Sequence, residues 1–149
     1  MKYLNINGGE GNDRIDFSRI QNPTGHRYSE AGHGDDTIFG SLADTPNARD
    51  HLTGGVGNDR IISDYERGFD YSGGVGDELI DDEGDDWLVG GKEDDYLNAG
   101  SGHDYLLAGD GNDQLISDDG EADTLFCGLG TDRIETDEFD FFNGCEISD

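Results

Sequence analysis

Residues 54–62 read Gly-Gly-Val-Gly-Asn-Asp-Arg-Ile-Ile, and nearly the same stretch occurs twice more in the chain. Residues 8–16 read GGEGNDRID, and residues 108–116 read AGDGNDQLI. The shared pattern is G-G-x-G-x-D-x-U-x, in which U is a large aliphatic residue. A short pattern that recurs along a chain of 149 residues predicts a stack of similar turn-and-strand units around one continuous core.

Seven copies of this pattern begin at residues 8, 31, 54, 73, 90, 108 and 127, and four columns are nearly constant. The second position is always Gly, and the fourth is Gly except at Glu93. The sixth position is always acidic: Asp13, Asp36, Asp59, Glu78, Asp95, Asp113 and Asp132. The eighth position is always aliphatic: Ile15, Ile38, Ile61, Ile80, Leu97, Leu115 and Ile134. Chance composition does not explain four coincident columns.

The steps between copies are 23, 23, 19, 17, 18 and 19 residues, which is close to twice the length of one copy. We therefore interpret each step as one full coil with two turns and two strands, and expect all seven copies on one side. A second series runs between the later copies, with sixth-position acids Asp86, Asp104 and Asp123. In the N-terminal half, this second series gives way to irregular loops at residues 17–30 and 40–53, although residues 50–53 still end like a repeat.

The charge and composition of the chain favour a cationic partner. The formal net charge is −27, only 32% of residues are hydrophobic, and 25 are glycine, a composition close to that of disordered chains. A ligand that binds only the folded state and neutralises carboxylates would offset both the small apolar content and the entropy cost of ordering the glycines. The same charge argues against nucleic acid as a partner and against anionic membranes, and no apolar run is long enough for membrane insertion.

Stacking places the sixth-position acids above one another. Glycines followed by Asp suit a turn that enters left-handed conformations and points carbonyl oxygens inward, and the x-U-x tail then forms a short strand with U facing the core. Coils stack about 4.8 Å apart, so the carboxylates repel unless a cation lies between them. Calcium fits because it accepts six to eight oxygen ligands in irregular geometry, whereas zinc prefers Cys and His, and magnesium a tight octahedron.

The repeat resembles the RTX, or hemolysin-type, calcium-binding nonapeptide repeat over nearly the whole chain. The resemblance implies an all-β, right-handed parallel β-roll in which each calcium ion lies between stacked turns. On that basis the ligands are the sixth-position Asp of both turns and carbonyl oxygens of the glycine loop, with roughly six to eight ions in total. The acids of both series are then candidate ligands, as are these glycines: Gly9, Gly11, Gly32, Gly34, Gly55, Gly57, Gly74, Gly76, Gly91, Gly109, Gly111, Gly128, Gly130, Gly100 and Gly102.

One β-roll domain over residues 1–149 accommodates all of the repeats. Residues 1–72 are expected to carry one regular column of calcium turns with irregular loops opposite, residues 73–135 a regular two-sided roll, and residues 136–149 a C-terminal cap. Cys127 and Cys145 are 18 residues apart, one coil in this count. Equivalent positions on adjacent coils lie within the span of a disulfide, so we expect a bridge, with two free thiols as the alternative.

Outward strand positions of the second series form an apolar stripe: Trp87, Val89, Tyr105, Leu107 and Phe126. Such a stripe is either a contact surface or cross-coil packing of a thin solenoid. No polar cap precedes the first glycine turn, so head-to-tail stacking into a filament is a further possibility.

Function is open between three classes. The first is a secreted or cell-surface calcium-binding module, structural or interacting, that folds on binding calcium and is not an enzyme. The second is a subunit of a head-to-tail surface filament or layer, with a second copy of the chain as partner. The third is an RTX module of a secreted polysaccharide-active enzyme. No catalytic motif is present, and the sequence nominates no catalytic residue.

Overall fold

The computed structural model describes residues 2–20, 25–41, 49–63 and 76–146. The described part of the chain is built from short strands joined by tight turns, without helices. The strands are β1 Lys2–Glu10, β2 Arg14–Asp16, β3 Gly25–His33, β4 Thr37–Phe39, β5 Asp50–Val56, β6 Arg60–Ile62, β7 Glu78–Ile80, β8 Trp87–Lys92, β9 Tyr96–Asn98, β10 Tyr105–Asp110, β11 Gln114–Ser117, β12 Thr124–Leu129, β13 Arg133–Thr136 and β14 Phe141–Asn143. No helix among these residues could cross a membrane.

Odd- and even-numbered strands form separate parallel sheets. The first sheet has the order β1-β3-β5-β7-β9-β11-β13, and the second has the order β14-β12-β10-β8-β6-β4-β2. Every strand therefore pairs with the strand two places along the chain, and each coil contributes one strand to each sheet. The prediction of an all-β parallel roll is confirmed.

The core consists of aliphatic side chains that both sheets direct into the space between them. The second sheet supplies Ile15, Ile38, Ile61, Leu88, Leu106 and Leu125, and the first sheet supplies Leu52, Leu79, Leu97, Leu115 and Ile134. These residues pair directly above one another, as Ile38 does with Ile61 and Leu106 with Leu125. Burial of each of these side chains stabilises the fold by about 1.5–3 kcal/mol. The same side chains fix the register of the stack, because a slip of one residue would turn every one of them outward.

The seven copies do not all lie on one side of the roll, so that prediction is wrong. The strand that follows Asp59, β6, pairs with β8 of the second series, whereas β7 pairs with β5 and β9 on the opposite sheet. The step from residue 54 to residue 73 is thus half a coil plus an insertion. A spacing of 19 residues fits this arrangement as well as it fits one full coil, so the spacing alone could not distinguish them.

The copy that begins at residue 73 is also shifted by one residue. Leu79, which is fully buried, pairs with Leu52 and Leu97 in the core, and Ile80 beside it is only half-buried. Since both residues are aliphatic, the pattern admitted either register, and burial against the neighbouring leucines selects Leu79. The eighth position of this copy is therefore Leu79 and not Ile80.

A disulfide joins the last two coils. Cys127 and Cys145 are bonded, with their Cα atoms 5.1 Å apart, which confirms the predicted bridge. Cys127 is fully buried at the first position of its turn, where Ala108 stands one coil earlier. The bridge therefore ties the final residues to the repetitive part of the roll.

Candidate metal sites

One row of aspartates, which we call the Asp13 column, runs along one side of the roll. In each pair of successive coils, the carboxylate Oδ1 of the later aspartate accepts a hydrogen bond from the backbone N–H of the earlier one, as Asp36 Oδ1 does from Asp13 at 2.6 Å and Asp86 Oδ1 from Asp59 at 2.7 Å. The members of the column are Asp13, Asp36, Asp59, Asp86, Asp104, Asp123 and Asp140. Each carboxylate after Asp13 is thereby held in one orientation between two turns.

A second row, the Asp50 column, follows the same rule on the opposite side. Asp113 Oδ1 accepts from the backbone N–H of Asp95 at 2.7 Å, and Asp132 Oδ1 accepts from that of Asp113 at 2.9 Å. The members are Asp50, Asp77, Asp95, Asp113, Asp132 and, at the C-terminal end, Glu146. Two independent stacks of carboxylates therefore flank the core.

The other oxygen of most of these carboxylates is buried and accepts no hydrogen bond from the described residues. These oxygens are the Oδ2 atoms of Asp13, Asp36, Asp59, Asp86, Asp104, Asp113, Asp123 and Asp132. A buried charged oxygen without a partner loses the hydration that it would have in water, at a cost of about 1–3 kcal/mol or more. Repeated in register along both columns, such oxygens form a series of positions at which a cation would supply the missing interaction.

Burial raises the pKa of several of these carboxyl groups. It raises the pKa of Asp104 to about 8, that of Asp86 to about 7, and those of Asp113 and Asp123 to about 6, with like charges from neighbouring acids adding to the effect. The pKa of Asp59 is raised for the same reason. Without a cation, the folded roll therefore favours the protonated form of these groups, and a cation that binds the ionised form must displace protons.

Comparison with known families decides what this arrangement is. The model of the RTX calcium-binding nonapeptide repeat matches four copies in the chain, over residues 5–19, 47–64 and 80–115. The chain therefore contains RTX calcium-binding nonapeptide repeats. It is accordingly a calcium-binding β-roll module. A search of curated proteins and a search of solved structures both returned no match.

The glycines of the RTX turns allow successive coils to stack closely. Gly55 has a φ of 121°, and a Cβ at this position would collide with the carbonyl oxygen of Gly32 in the coil before it. A side chain here would be strained by its backbone and excluded by its neighbour. The second position of the turns repeats this conformation at Gly9, Gly32, Gly91, Gly109 and Gly128. The predicted Gly74 lies outside the described residues.

Glu93 occupies a fourth turn position and adopts a φ of 82°, the one positive φ of a non-glycine residue in the described part of the chain. Gly130, at the same position of a later turn in the Asp50 column, has a φ of 143°. Glu93 therefore adopts a left-handed backbone conformation against the preference of its side chain.

Glu78 does not lie in either column, so its predicted place above Asp59 is wrong. The residue in the turn is Asp77, while Glu78 begins β7, and its carboxylate Oε2 lies 2.9 Å from Nδ1 of His51 on the outer face. The register that buries Leu79 places Glu78 outward and Asp77 in the turn. The acids Asp95, Asp113 and Asp132 stack as predicted, but in the Asp50 column, and Asp86, Asp104 and Asp123 continue the Asp13 column.

The repeat pattern did not reveal four members of the columns or one further buried acid. Asp50, Asp77, Asp140 and Glu146 stand in incomplete or insertion-flanked copies, where the glycine signal is weak. Asp81 lies at the first position of its turn, where other copies have Gly, Ala, Ser or Cys, and is buried. Its signal was the acidic run Asp81-Asp82-Glu83 in place of small residues.

The outer face of the second sheet carries the predicted apolar stripe. Trp87 is 42% exposed, and its ring lies 4.8 Å from that of Tyr105, which lies 5.5 Å from Phe126. Val89 and Leu107 pair in the neighbouring outward row, and Phe141 extends the stripe into the last coil. The guanidinium of Arg60 lies 5.0 Å from the Trp87 ring at the other end.

Proposed function

We propose that this chain is a secreted or cell-surface RTX module that folds when calcium binds between its stacked aspartates and that serves a structural or interaction role rather than a catalytic one. The observation that carries the proposal is the register of the buried, unpartnered Oδ2 atoms along the two columns. Their oxygens, together with the turn carbonyls, are the ligand type that calcium prefers.

Electrostatics explains why folding would depend on the ion. A pair of like charges about 4 Å apart costs on the order of 4 kcal/mol at an effective dielectric constant near 20, and the columns repeat such pairs along the roll. The contribution that opposes this repulsion is the burial of the aliphatic side chains between the two sheets. Calcium between successive carboxylates turns the repulsion into attraction, so binding free energy becomes folding free energy.

The location outside the cell is supported by two features. A disulfide between Cys127 and Cys145 suits an oxidising compartment. The acidic surface, with a net charge of −27, suits a compartment in which calcium is abundant. In calcium-poor cytoplasm the same chain would remain largely unfolded, and it would fold after export.

The number of ions follows from the columns. Each gap between successive aspartates with unpartnered Oδ2 atoms would hold one ion, as between Asp13 and Asp36, or between Asp113 and Asp132. By this rule the Asp13 column would hold five calcium ions and the gap between Asp113 and Asp132 a sixth, the lower end of the expected six to eight. Asp140 ends the Asp13 column without such a position, because its Oδ2 accepts hydrogen bonds from the Asp137 backbone and the Ser117 hydroxyl.

Circular dichroism of the intact chain with calcium and with a chelator tests the proposal, and native mass spectrometry counts the ions. We expect strand signal in calcium that disappears in the chelator and returns when calcium is restored. Magnesium at the same concentration is the control, and we expect little recovery with it, because it keeps its waters and requires a smaller octahedral site. An unchanged strand signal in the chelator would contradict the proposal.

A second candidate role is self-association through the apolar stripe, which includes a subunit role in a surface layer or filament. The observation that favours it is the exposure of both ends of the stripe, where Trp87 is 42% and Phe141 57% accessible to solvent. Sedimentation in millimolar calcium tests it. Assembly that is lost when Trp87 is replaced by Gln would support lateral association, and a monomer at every concentration would exclude it.

A further inference from the structure

The turn at residues 81–86 differs from its neighbours in the Asp13 column at its first position. The other turns of that column from Asp13 to Asp123 carry a small residue there: Gly8, Ala31, Gly54, Ala99 and Ser117. Asp81 replaces the small residue with a carboxylate and is only 2% exposed. An ionisable side chain at a position otherwise occupied by small residues requires a partner inside the roll.

The Asp81 carboxylate points into the gap between its own turn and the turn at residues 54–59. Its Oδ1 accepts hydrogen bonds from the backbone N–H of Gly55 at 2.7 Å and of Asp82 at 3.1 Å. Its Oδ2 is buried and accepts no hydrogen bond from any described residue. The two backbone N–H groups therefore fix the orientation of the Asp81 carboxylate, and its Oδ2 is directed at the gap.

Two further carboxylates meet Asp81 in this gap. Asp59 and Asp86 each offer an oxygen, and the oxygens of the three residues lie within 4.8 Å of one another. The Oδ2 atoms of Asp59 and Asp86 are also buried without a hydrogen-bond partner, and both residues are 3% exposed. Three buried carboxylates at this separation cannot all be ionised unless a cation lies between them.

Gly54 provides the room for the third carboxylate. A Cβ at Gly54 would lie 2.5 Å from Asp59 Oδ2 and from both Asp81 carboxylate oxygens. The space above Gly54 is thus filled by the carboxylates themselves. An alanine at position 81 would remove two of these oxygens, and an alanine at position 54 would collide with them.

We propose that the gap formed by Asp59, Asp81 and Asp86 binds one cation with three carboxylates and is the tightest calcium site of the roll. The proposal rests on the proposed function and adds to it a ligand, Asp81, that the repeat pattern does not supply. Affinity for calcium rises with the number of charged ligands, so we expect this gap to fill first and with about tenfold higher affinity than gaps that have two carboxylates. A trivalent ion of similar size, such as terbium, should favour this gap even more, because its charge balances three carboxylates.

Matched substitutions isolate the third carboxylate. Asp81→Asn removes its charge and keeps its size, and Asp81→Ala places at this position the residue found at Ala31 and Ala99. Asp82→Asn is the control, since it removes the same charge from the adjacent, exposed residue. The intact chain is titrated with calcium in chelator-buffered solutions and followed by native mass spectrometry.

We expect the wild type and Asp82→Asn to bind a first ion at about tenfold lower free calcium than the others, and both Asp81 variants to lose that separation. Terbium emission sensitised by Trp87, the single tryptophan, which directly follows Asp86, provides a local readout. Its midpoint should move about tenfold toward higher terbium in the Asp81 variants alone.

Two other outcomes would overturn the assignment of Asp81. Titrations of all four proteins that superimpose would show that the third carboxylate is not a ligand. Failure of both Asp81 variants to regain the wild-type strand signal in saturating calcium would assign Asp81 to folding instead. If the wild type bound no calcium at all, the proposed function itself would fail, which distinguishes the two failures.

Discussion

The guanidinium Nη1 of Arg27 lies 3.0 Å from the carboxylate Oδ1 of Asp50, and both side chains are almost completely buried. Arg27 pairs with Asp50 in the sheet register, so it occupies, one coil earlier, the position at which the Asp50 column has its aspartates. The remaining oxygen of Asp50 accepts a hydrogen bond from the Ser41 backbone. At its N-terminal end the column thus begins with a built-in cation where later coils stack carboxylate on carboxylate.

Removing Arg27 should therefore destabilise the roll even in saturating calcium. Replacing Arg27 by Met leaves Asp50 as a buried charge without its partner, and we expect a loss of about 3–5 kcal/mol in the free energy of unfolding. Denaturant unfolding in excess calcium measures it. Replacing Arg14 by Met is the matched control, because its ion pair with Asp16 is exposed and should contribute at most about 1 kcal/mol. Equal effects of the two substitutions would show that the Arg27 pair has no special role.

The raised carboxyl pKa values predict opposite effects of pH on the metal-free and calcium-bound roll. A carboxyl whose folded pKa lies above its unfolded value of 3.8 binds more protons when folded, so metal-free stability is highest at low pH and falls as pH rises through the folded pKa. For Asp113 at about 6, Asp86 at about 7 and Asp104 at about 8, this window extends from about 4 to 8. Calcium must displace the same protons, so its affinity should rise over pH 6–8.

Circular dichroism in chelator at pH 5 and pH 8, with calcium titrations at pH 6 and pH 8, measures both effects. We expect the chelated chain, largely unfolded at pH 8, to regain strand signal at pH 5, and the calcium affinity to be greater at pH 8. A chelated chain that became more stable as pH rose would contradict the burial of these carboxyl groups.

The strained turn at Glu93 predicts a stabilising substitution. A left-handed backbone costs a side chain about 1–2 kcal/mol, and glycine in its place loses about 0.5–1 kcal/mol through the added freedom of the unfolded chain. Replacing Glu93 by Gly should therefore stabilise the calcium-bound roll by about 0.5–1 kcal/mol, as measured by denaturant unfolding. Glu93→Gln removes the charge and keeps the strain. A gain of equal size in that variant would attribute the effect to electrostatics.

The sequence was sufficient to predict the coil because its two periodic signals have local causes. The second-position glycines, such as Gly55, are required by the close approach of neighbouring backbones, and aliphatic residues such as Leu97 are required by the core. The disulfide between Cys127 and Cys145 followed from the same spacing. Each of these features depends on one turn and its nearest neighbour.

The side of the roll on which a turn lies could not be predicted from spacing, because it depends on the length of the connection between turns. The separation of Asp59 from Asp86 is 27 residues, and the glycine copy between them, at residues 73–76, does not itself show on which side of the roll it lies. Asp77 and Glu78 fit the acidic position of their copy equally well in the sequence, and only the packing of Leu79 on Leu52 distinguishes them. The buried pair of Arg27 and Asp50 had no signal at all, since Arg27 has no counterpart in the repeat.

The disulfide at the C-terminal end should stabilise the last coil without controlling the rest. Closing a loop of 18 residues lowers the entropy of the unfolded chain by an amount equivalent to about 3 kcal/mol. The bridge also holds Glu146, which ends the Asp50 column. Its Oε2 accepts a hydrogen bond from the backbone N–H of Asp132 at 2.9 Å. Replacing Cys127 by Ala and Cys145 by Ser should therefore loosen β14 and the turn of Asp132.

Hydrogen exchange in saturating calcium measures where this effect lies. We expect faster exchange at residues 141–146 and in β13, with unchanged protection in β4 and β6, because each coil contacts only its neighbours. Wild-type protein in reductant should behave as the variant does, and the variant itself should not respond to reductant. Loss of protection along the whole roll would instead show that the bridge is required for folding, and the coils would then form one cooperative unit and not a stack of separately stabilised turns.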